Sequence, residues 1–235
     1  MVDGGTDLSE PTDTHLDIGS FARNEGPERS PLGAGYVILV ARELTEPLRR
    51  CPNMSPSKAE LEAARGREVP DVLARDLDVV FVGINPGLWS GAVGHHFARP
   101  GNRFWKALHR SGFTDRELSP FEDQSLLERG LGLTNLVART TATADELMPD
   151  EIRAGASGLA GRLGPLRPRF VALLGIGAYR TGFGRPKASL GPQEEELAGA
   201  ELWVLPNPSG LNAHYQVDDL AGRFRELRTT VERSG

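Results

Sequence analysis

Residues 78–87 read DVVFVGINPG, and this stretch decides the fold. Asp78–Gly83 is apolar, rich in β-branched side chains and closed by glycine, the composition of a buried strand that runs into a loop. The loop it enters, Ile84-Asn85-Pro86-Gly87, joins a proline of fixed φ, a glycine free to take positive φ and an asparagine able to bond the local backbone. Phe170–Gly175 (FVALLG) and Leu202–Pro206 (LWVLP) have the same strand character, and Leu131–Leu136 is a candidate for a fourth. Helical patterns lie between and after them. Asn102–Arg110 places Phe104, Trp105 and Leu108 on one face and stops at Gly112. Ser125–Arg129 is short, Asp150–Leu166 is weakened by its glycines, and Asp218–Val231 carries Leu220, Phe224, Leu227 and Val231 at core spacing. Upstream, Ser57-Lys58-Ala59-Glu60 spells a capping box that opens a helix to about Ala64.

Strands alternating with helices predict an α/β fold, a three-layer α/β/α sandwich around a short, largely parallel central sheet. Ligands of such sheets sit beyond the carboxyl ends of the strands. The loop at 84–87 and a second strand-following loop, Asn207-Pro208-Ser209-Gly210, are therefore expected at the same sheet edge.

Working outward, the chain has 235 residues, 39% hydrophobic and 25% charged, enough for one globular domain with a sizeable core and some extra chain. Residues 1–31 are rich in Gly, Pro, Ser, Thr and acids and are expected to be a disordered acidic tail. Residues 32–56 read as a linker or N-terminal extension, within which Tyr36–Val40 fits a strand or a helix start, and residues 57–235 read as the folded domain. A single cysteine, Cys51, excludes an internal disulfide framework. No apolar run reaches the roughly 20 residues of a membrane span, so a soluble, cytoplasmic protein is expected.

The formal net charge of −5 argues against nucleic acid until its distribution is considered. Residues 1–30 hold seven acids against two arginines, so the rest of the chain is neutral overall. Within it, Val79–Thr114 contains no acid but carries Arg99, Arg103, Lys106 and Arg110. Ile152–Gln193 also lacks acids and carries six arginines and Lys187. Such stretches either build a positive surface for phosphates or are solvated charge clustered by chance.

Taken singly, Asn-Pro-Gly and Asn-Pro-Ser-Gly are ordinary turns. Five segments in one order are more specific: Gly83-Ile84-Asn85-Pro86-Gly87, Gly94-His95-His96-Phe97, Pro100–Lys106, Thr134–Thr141 and Leu205–Asn212. With these the chain, from about Ser57 onward, resembles the mismatch-specific uracil-DNA glycosylase and thymine-DNA glycosylase family of the uracil-DNA glycosylase superfamily. The resemblance implies a uracil-DNA-glycosylase-like fold and a monofunctional hydrolase of N-glycosyl bonds. Such an enzyme flips uracil, thymine or a modified pyrimidine from a mismatch with guanine in duplex DNA and initiates base excision repair. It implies Asn85 as the residue that holds the hydrolytic water and Thr141 as its companion in the catalytic pocket. Phe97 falls where an aromatic ring stacks on the flipped base, and Asn135 where an amide meets the base edge. Gly83, Ile84, His96 and Asn207 complete the expected substrate pocket. The loop of Ser209, Gly210, Leu211, Asn212, Ala213 and His214 is expected to face the minor groove, with Leu211 as an intercalating wedge. Ser209 and the amides of Gly210 and Leu211 are its candidate phosphate ligands. Some relatives carry arginine after the wedge where this chain has Ala213, a departure that bears on how firmly the duplex is plugged.

The residues themselves refine this expectation. An amide is no general base at neutral pH, so Asn85 would position water rather than deprotonate it. Phe97 could instead be a core ring, although its setting among His, Gly, Arg and Pro favours the platform; Leu211 could be part of a local cluster, although its small and polar neighbours favour the wedge; and Asn135 and Thr141 could be polar strand ends. His95 and His96 are adjacent and have no Cys, Asp or Glu in their own stretch to complete a metal shell, so no metal and no cofactor is expected. Lys106, within a helix, is not placed for Schiff-base chemistry. The expected partner is double-stranded DNA bearing G·U or related mismatches, with downstream repair enzymes as further partners, no membrane, and a monomeric enzyme. Two other readings compete: a mismatch-binding protein of the same shape that does not cut, and an α/β nucleotide-binding enzyme. The latter lacks both G-x-x-x-x-G-K-[ST] and a well-placed G-x-G-x-x-G.

Overall fold

A computed structural model describes residues 55–234. The expected tail, most of the expected linker and Cys51 lie outside these residues. Their first helix, α1 (Lys58–Ala63), starts at the capping box: Ser57 Oγ accepts from the Glu60 amide at 3.3 Å, and the Glu60 carboxylate accepts from the Ser57 amide at 2.8 Å.

Five strands form one sheet: β1 (Val79–Gly83), β2 (Leu131–Asn135), β3 (Phe170–Leu174), β4 (Gly191–Leu197) and β5 (Ala200–Leu205), in the spatial order β2-β1-β3-β5-β4. β2, β1, β3 and β5 run parallel, and β4 pairs antiparallel to β5 at the edge. Alternation along the strands divides the core into two layers. Val79, Phe81, Phe170, Ala172, Leu174, Trp203 and Leu205 pack under α3 (Phe104–Arg110) and α6 (Val217–Arg233), through Phe104, Leu108, Leu220, Phe224 and Leu227. On the other face, Val80, Val82, Val171, Leu173, Leu202 and Val204 pack under α4 (Pro149–Leu163) and α5 (Ile176–Gly182), through Leu159, Leu163, Ala178 and Tyr179. This is the expected three-layer sandwich with a largely parallel sheet. No helix among the described residues is long and apolar enough to cross a membrane.

Four local expectations change. The loop at Ile84–Gly87 runs directly into a helix that the sequence did not signal, α2 (Leu88–Val93), short, glycine-containing and without an apolar stripe. α5 lay unread because it is only two turns long. β4, of sequence GPQEEEL, gave no strand signal: only its ends, Gly191 and Leu197, are buried, and its exposed positions are Pro192, Glu194 and Glu196, residues that suit an exposed sheet edge. The helix expected at Ser125–Arg129 is a 3-10 helix starting at Pro120. The glycines that weakened Asp150–Leu166 have a packing reason at Gly155, where a Cβ would overlap the Leu136 carbonyl oxygen beneath α4.

Candidate active site

Because four of the strands are parallel, β1, β2, β3 and β5 present their carboxyl ends at one edge. The loops that leave β1, β2 and β5, with Leu174 at the end of β3, line a cleft of about 360 Å³, within the roughly 300–1,000 Å³ of small-ligand clefts. The loops after β1 and β2 are zipped together beyond the sheet. Leu136 donates to the Gly83 carbonyl at 2.9 Å, Val137 to that of Ile84 at 3.0 Å and Thr141 to that of Pro86 at 3.1 Å.

Asn85 sits inside this zipper. Its Nδ2 donates to the Arg139 carbonyl at 3.1 Å and to Thr141 Oγ1 at 2.7 Å, with the Pro86 carbonyl also at 3.1 Å. An amide turned the other way would set its oxygen against two carbonyl oxygens, so the surroundings fix Oδ1 on the opposite side of the group. Thr141 is buried, and its hydroxyl proton goes to the Thr143 carbonyl at 2.7 Å, which leaves a lone pair for Asn85. Thr141 thus holds the Asn85 side chain in one orientation. Arg139, which lends the carbonyl, is itself held by a two-pronged ion pair to Glu151 (2.6 and 2.8 Å). That pair holds the Glu151 carboxyl down to about 2.

The opposite wall is aromatic. Phe97 stacks on Phe104 with centroids 4.2 Å apart and planes 24° from parallel, so Phe104 backs one face of the ring while Phe97 lines the cleft. Its φ of +53° is unusual for a bulky residue and is of the kind that costs roughly 1–3 kcal/mol. Next to it, His96 is only 2% exposed. Burial lowers its pKa, so the ring is neutral at pH 7. Its Nε2 donates to the Pro70 carbonyl at 3.0 Å, which leaves Nδ1 to accept from Asn135 Nδ2 at 3.4 Å. The Asn135 carbonyl is gripped by Arg162 of α4 at 2.7 Å. Gly83 makes room for this group, since a Cβ there would overlap Asn135 Oδ1 and stand 3.4 Å from Phe97 Cε1.

The third wall is the loop after β5. Asn207 Oδ1 accepts from the Ser209 amide at 3.0 Å, and Asn212 Nδ2 donates to the Asn207 carbonyl at 2.9 Å. Arg103 fastens the loop to α3: its guanidinium reaches the carbonyls of Asn212 and Tyr215 at 2.8 Å, and its amide donates to that of Pro208 at 2.9 Å. Leu211 is 66% exposed at the tip of this braced loop, an apolar side chain presented to solvent.

The cleft brings together Gly83, Ile84, Asn85, His96, Phe97, Asn135, Thr141, Asn207, Ser209, Leu211 and Asn212. Gly210 and Ala213 are exposed outside its lining, and His214 lines a separate groove with Tyr215, Asp219 and Arg223. The Leu211 amide donates to Ser209 Oγ at 3.3 Å within the loop. Of the two readings open for the acid-free stretches, paired and solvated charge applies to Arg110 (Asp218), Arg162 (Asp71), Arg167 (Asp76), Arg169 (Asp78) and Arg185 (Glu195), each of which meets an acid from elsewhere in the chain. Sequence reasoning missed the bracing roles of Arg103, Arg139 and Arg162, since nothing local distinguishes an arginine that will cap carbonyls from one that will face solvent. His95 bonds Asp123 at 3.0 Å while His96 turns to Pro70, and among the described residues no three His, Cys, Asp or Glu converge to hold a metal.

Comparison with known proteins adds two findings. A family model described as the uracil DNA glycosylase superfamily matches residues 70–228. The chain is also similar to the solution NMR structure of a candidate uracil DNA glycosylase from Methanosarcina acetivorans. The identity is 21%, the match covers 69% of this chain and 98% of that one, and the TM-score is 0.48.

Proposed function

Since the chain belongs to the uracil DNA glycosylase superfamily, we propose that it is a monofunctional glycosylase that excises uracil from G·U mismatches in duplex DNA, accepting thymine or modified pyrimidines by the same route and opening base excision repair. The observation that carries the reading is the fixed Asn85 amide. Its nitrogen is engaged by Arg139 and Thr141, so its oxygen is the group left to accept a hydrogen bond from a nucleophilic water.

In the proposed reaction Leu211 enters the base stack, and the extruded base slides onto Phe97, a contact worth about 1–3 kcal/mol. Asn135 meets the base edge. With one N–H turned to His96, its amide retains a donor and an acceptor for a pyrimidine. Asn85 positions the water without deprotonating it early, so the C1′–N1 bond must largely break before attack. The base leaves as an anion delocalised over two carbonyls, water adds to the oxocarbenium-like sugar, and the proton it sheds goes to the departed base anion or to solvent. Product release limits turnover while Leu211 remains in the duplex. The enzyme works as a monomer without a cofactor, and the lesion it prefers rests on small differences, since one methyl group shifts discrimination by only about 1–3 kcal/mol.

The test is base release from labelled duplexes bearing G·U, A·U, G·T and single-stranded uracil, read as alkali-labile cleavage. Uracil release from G·U that disappears in Asn85→Ala is the expected outcome. Binding to G·U without release in the wild type would instead identify a mismatch-binding protein, and equal release from A·U would remove the specificity for guanine.

A further inference from the structure

We infer that Arg99 is the residue that grips the phosphodiester of the flipped nucleotide, a binding role that rests on the glycosylase reading above and specifies where it holds the DNA backbone.

Of the cations in the acid-free stretch Val79–Thr114, Arg103 is turned into the loop after β5 and Arg110 is paired with Asp218. Lys106 is exposed on α3 but does not line the cleft. Arg99 is exposed and lines the cleft, and its guanidinium has no hydrogen-bond or ion-pair partner among the described residues. It is also the one lysine or arginine of the described residues in that lining.

Its place in the chain matters as much as its charge. Arg99 opens a tight turn in which the Asn102 amide donates to its carbonyl at 2.9 Å. On one side of this turn is Phe97, the platform for the base. On the other is the loop of Ser209 and Leu211, tied to the turn's end through the Arg103 amide and the Pro208 carbonyl at 2.9 Å. A nucleotide whose base rests on Phe97 while Leu211 fills its former place in the stack must run its backbone between those two points. That path crosses the 98–102 turn. An unpaired guanidinium there meets a phosphate with the two-pronged geometry guanidinium favours. The turn is itself braced, because the Ala98 amide donates to Ser90 Oγ at 3.1 Å, so the cation is presented from a fixed base.

The experiment measures the affinity of the full chain for a duplex carrying a tetrahydrofuran abasic analogue opposite guanine, across a salt series, for wild type, Arg99→Ala and Arg99→Lys. Uracil release from G·U is measured in parallel. Loss of one phosphate contact lowers the slope of log affinity against log salt by about 0.9. The advantage of wild type over Arg99→Ala should then shrink about 3.5-fold between 50 and 200 mM salt. Arg99→Lys, which keeps the charge, should retain the wild-type slope. A slope unchanged in Arg99→Ala overturns the proposal, as does a slope that falls equally in Arg99→Lys. If the wild type releases no uracil yet the slope still falls in Arg99→Ala, the catalytic reading fails and the phosphate contact stands.

Discussion

Gly83→Ala adds one methyl group at the floor of the cleft, and the geometry there defines what it must do. Gly83 ends β1 with its carbonyl bonded to the Leu136 amide at 2.9 Å and its backbone outside the positive-φ region, so alanine carries no conformational penalty and acts purely through space. The new Cβ would overlap Asn135 Oδ1, with Asn135 Cγ and Phe97 Cε1 both at 3.4 Å. Asn135 is buried, with His96 beyond its side-chain nitrogen and Arg162 holding its main-chain carbonyl, so its amide can yield to the methyl only by leaving His96 and turning into the cleft. Overpacking of this kind costs about 1–3 kcal/mol, and withdrawing a hydrogen-bonding partner from a bound base costs a similar amount. At about 1.4 kcal/mol per tenfold, kcat/KM for uracil release should fall about 10- to 100-fold, with Tm lowered more modestly. The assay is single-turnover release from G·U across the cycle of wild type, Gly83→Ala, Asn135→Ala and the double variant. With Asn135 truncated the methyl meets only ordinary contacts, so the second substitution should cost less than about threefold. Fully additive losses, or a wild-type rate in Gly83→Ala, would refute the argument that Asn135 is held in place by the absence of a side chain at Gly83.

Three further outcomes follow from the same geometry. Thr141→Val removes the acceptor for Asn85 Nδ2 without changing side-chain shape; kcat for G·U should fall about tenfold with KM unchanged and return in Thr141→Ser, while a changed KM would mean Thr141 contacts the base directly. Arg103→Ala strips the loop after β5 of its bonds to Asn212 and Tyr215; duplex affinity should weaken at least tenfold and proteolytic cutting should appear within 207–215, an outcome that protection of the loop would contradict. His96, its pKa lowered by burial, should still show a neutral-imidazole NMR signal at pH 6.5, where an ordinary histidine is half protonated. The unfolded chain takes up a proton there that the folded chain refuses, so this group's contribution to stability is complete above about pH 6.5 and declines below it. A half-protonated His96 at that pH would sink the assigned tautomer and with it the orientation of Asn135.

Much of the fold was legible because its signals are local. DVVFVG, FVALLG and LWVLP are apolar over their whole length because β1, β3 and β5 are covered on both faces. Ser57 and Glu60 meet within one helical turn, and Leu220, Phe224, Leu227 and Val231 of α6 repeat at the helical period. β4 was not legible because it lies at the sheet edge, where only its end residues Gly191 and Leu197 are buried and the acids between them stay solvated. α2 and α5 are too short to develop a periodic stripe. At the site, the segments that resemble the glycosylase family converge on one cleft, whereas Gly210, Ala213 and His214 belong to the outer surface of the loop.

The sequence by itself determined a parallel α/β sheet with its ligand edge at the loops after β1 and β5, and it named the side chains able to do chemistry there. Only the tertiary structure decided which way they face. Asn85 is oriented by Thr141, 56 residues away, Asn135 by His96, 39 residues away, and the loop after β5 by Arg103, more than 100 residues away. Composition and periodicity report what a residue is and which face of its own element it occupies. The direction of an amide or a guanidinium is fixed by the donors and acceptors that folding brings within 3 Å, and these are set by strand order rather than by neighbours in the chain.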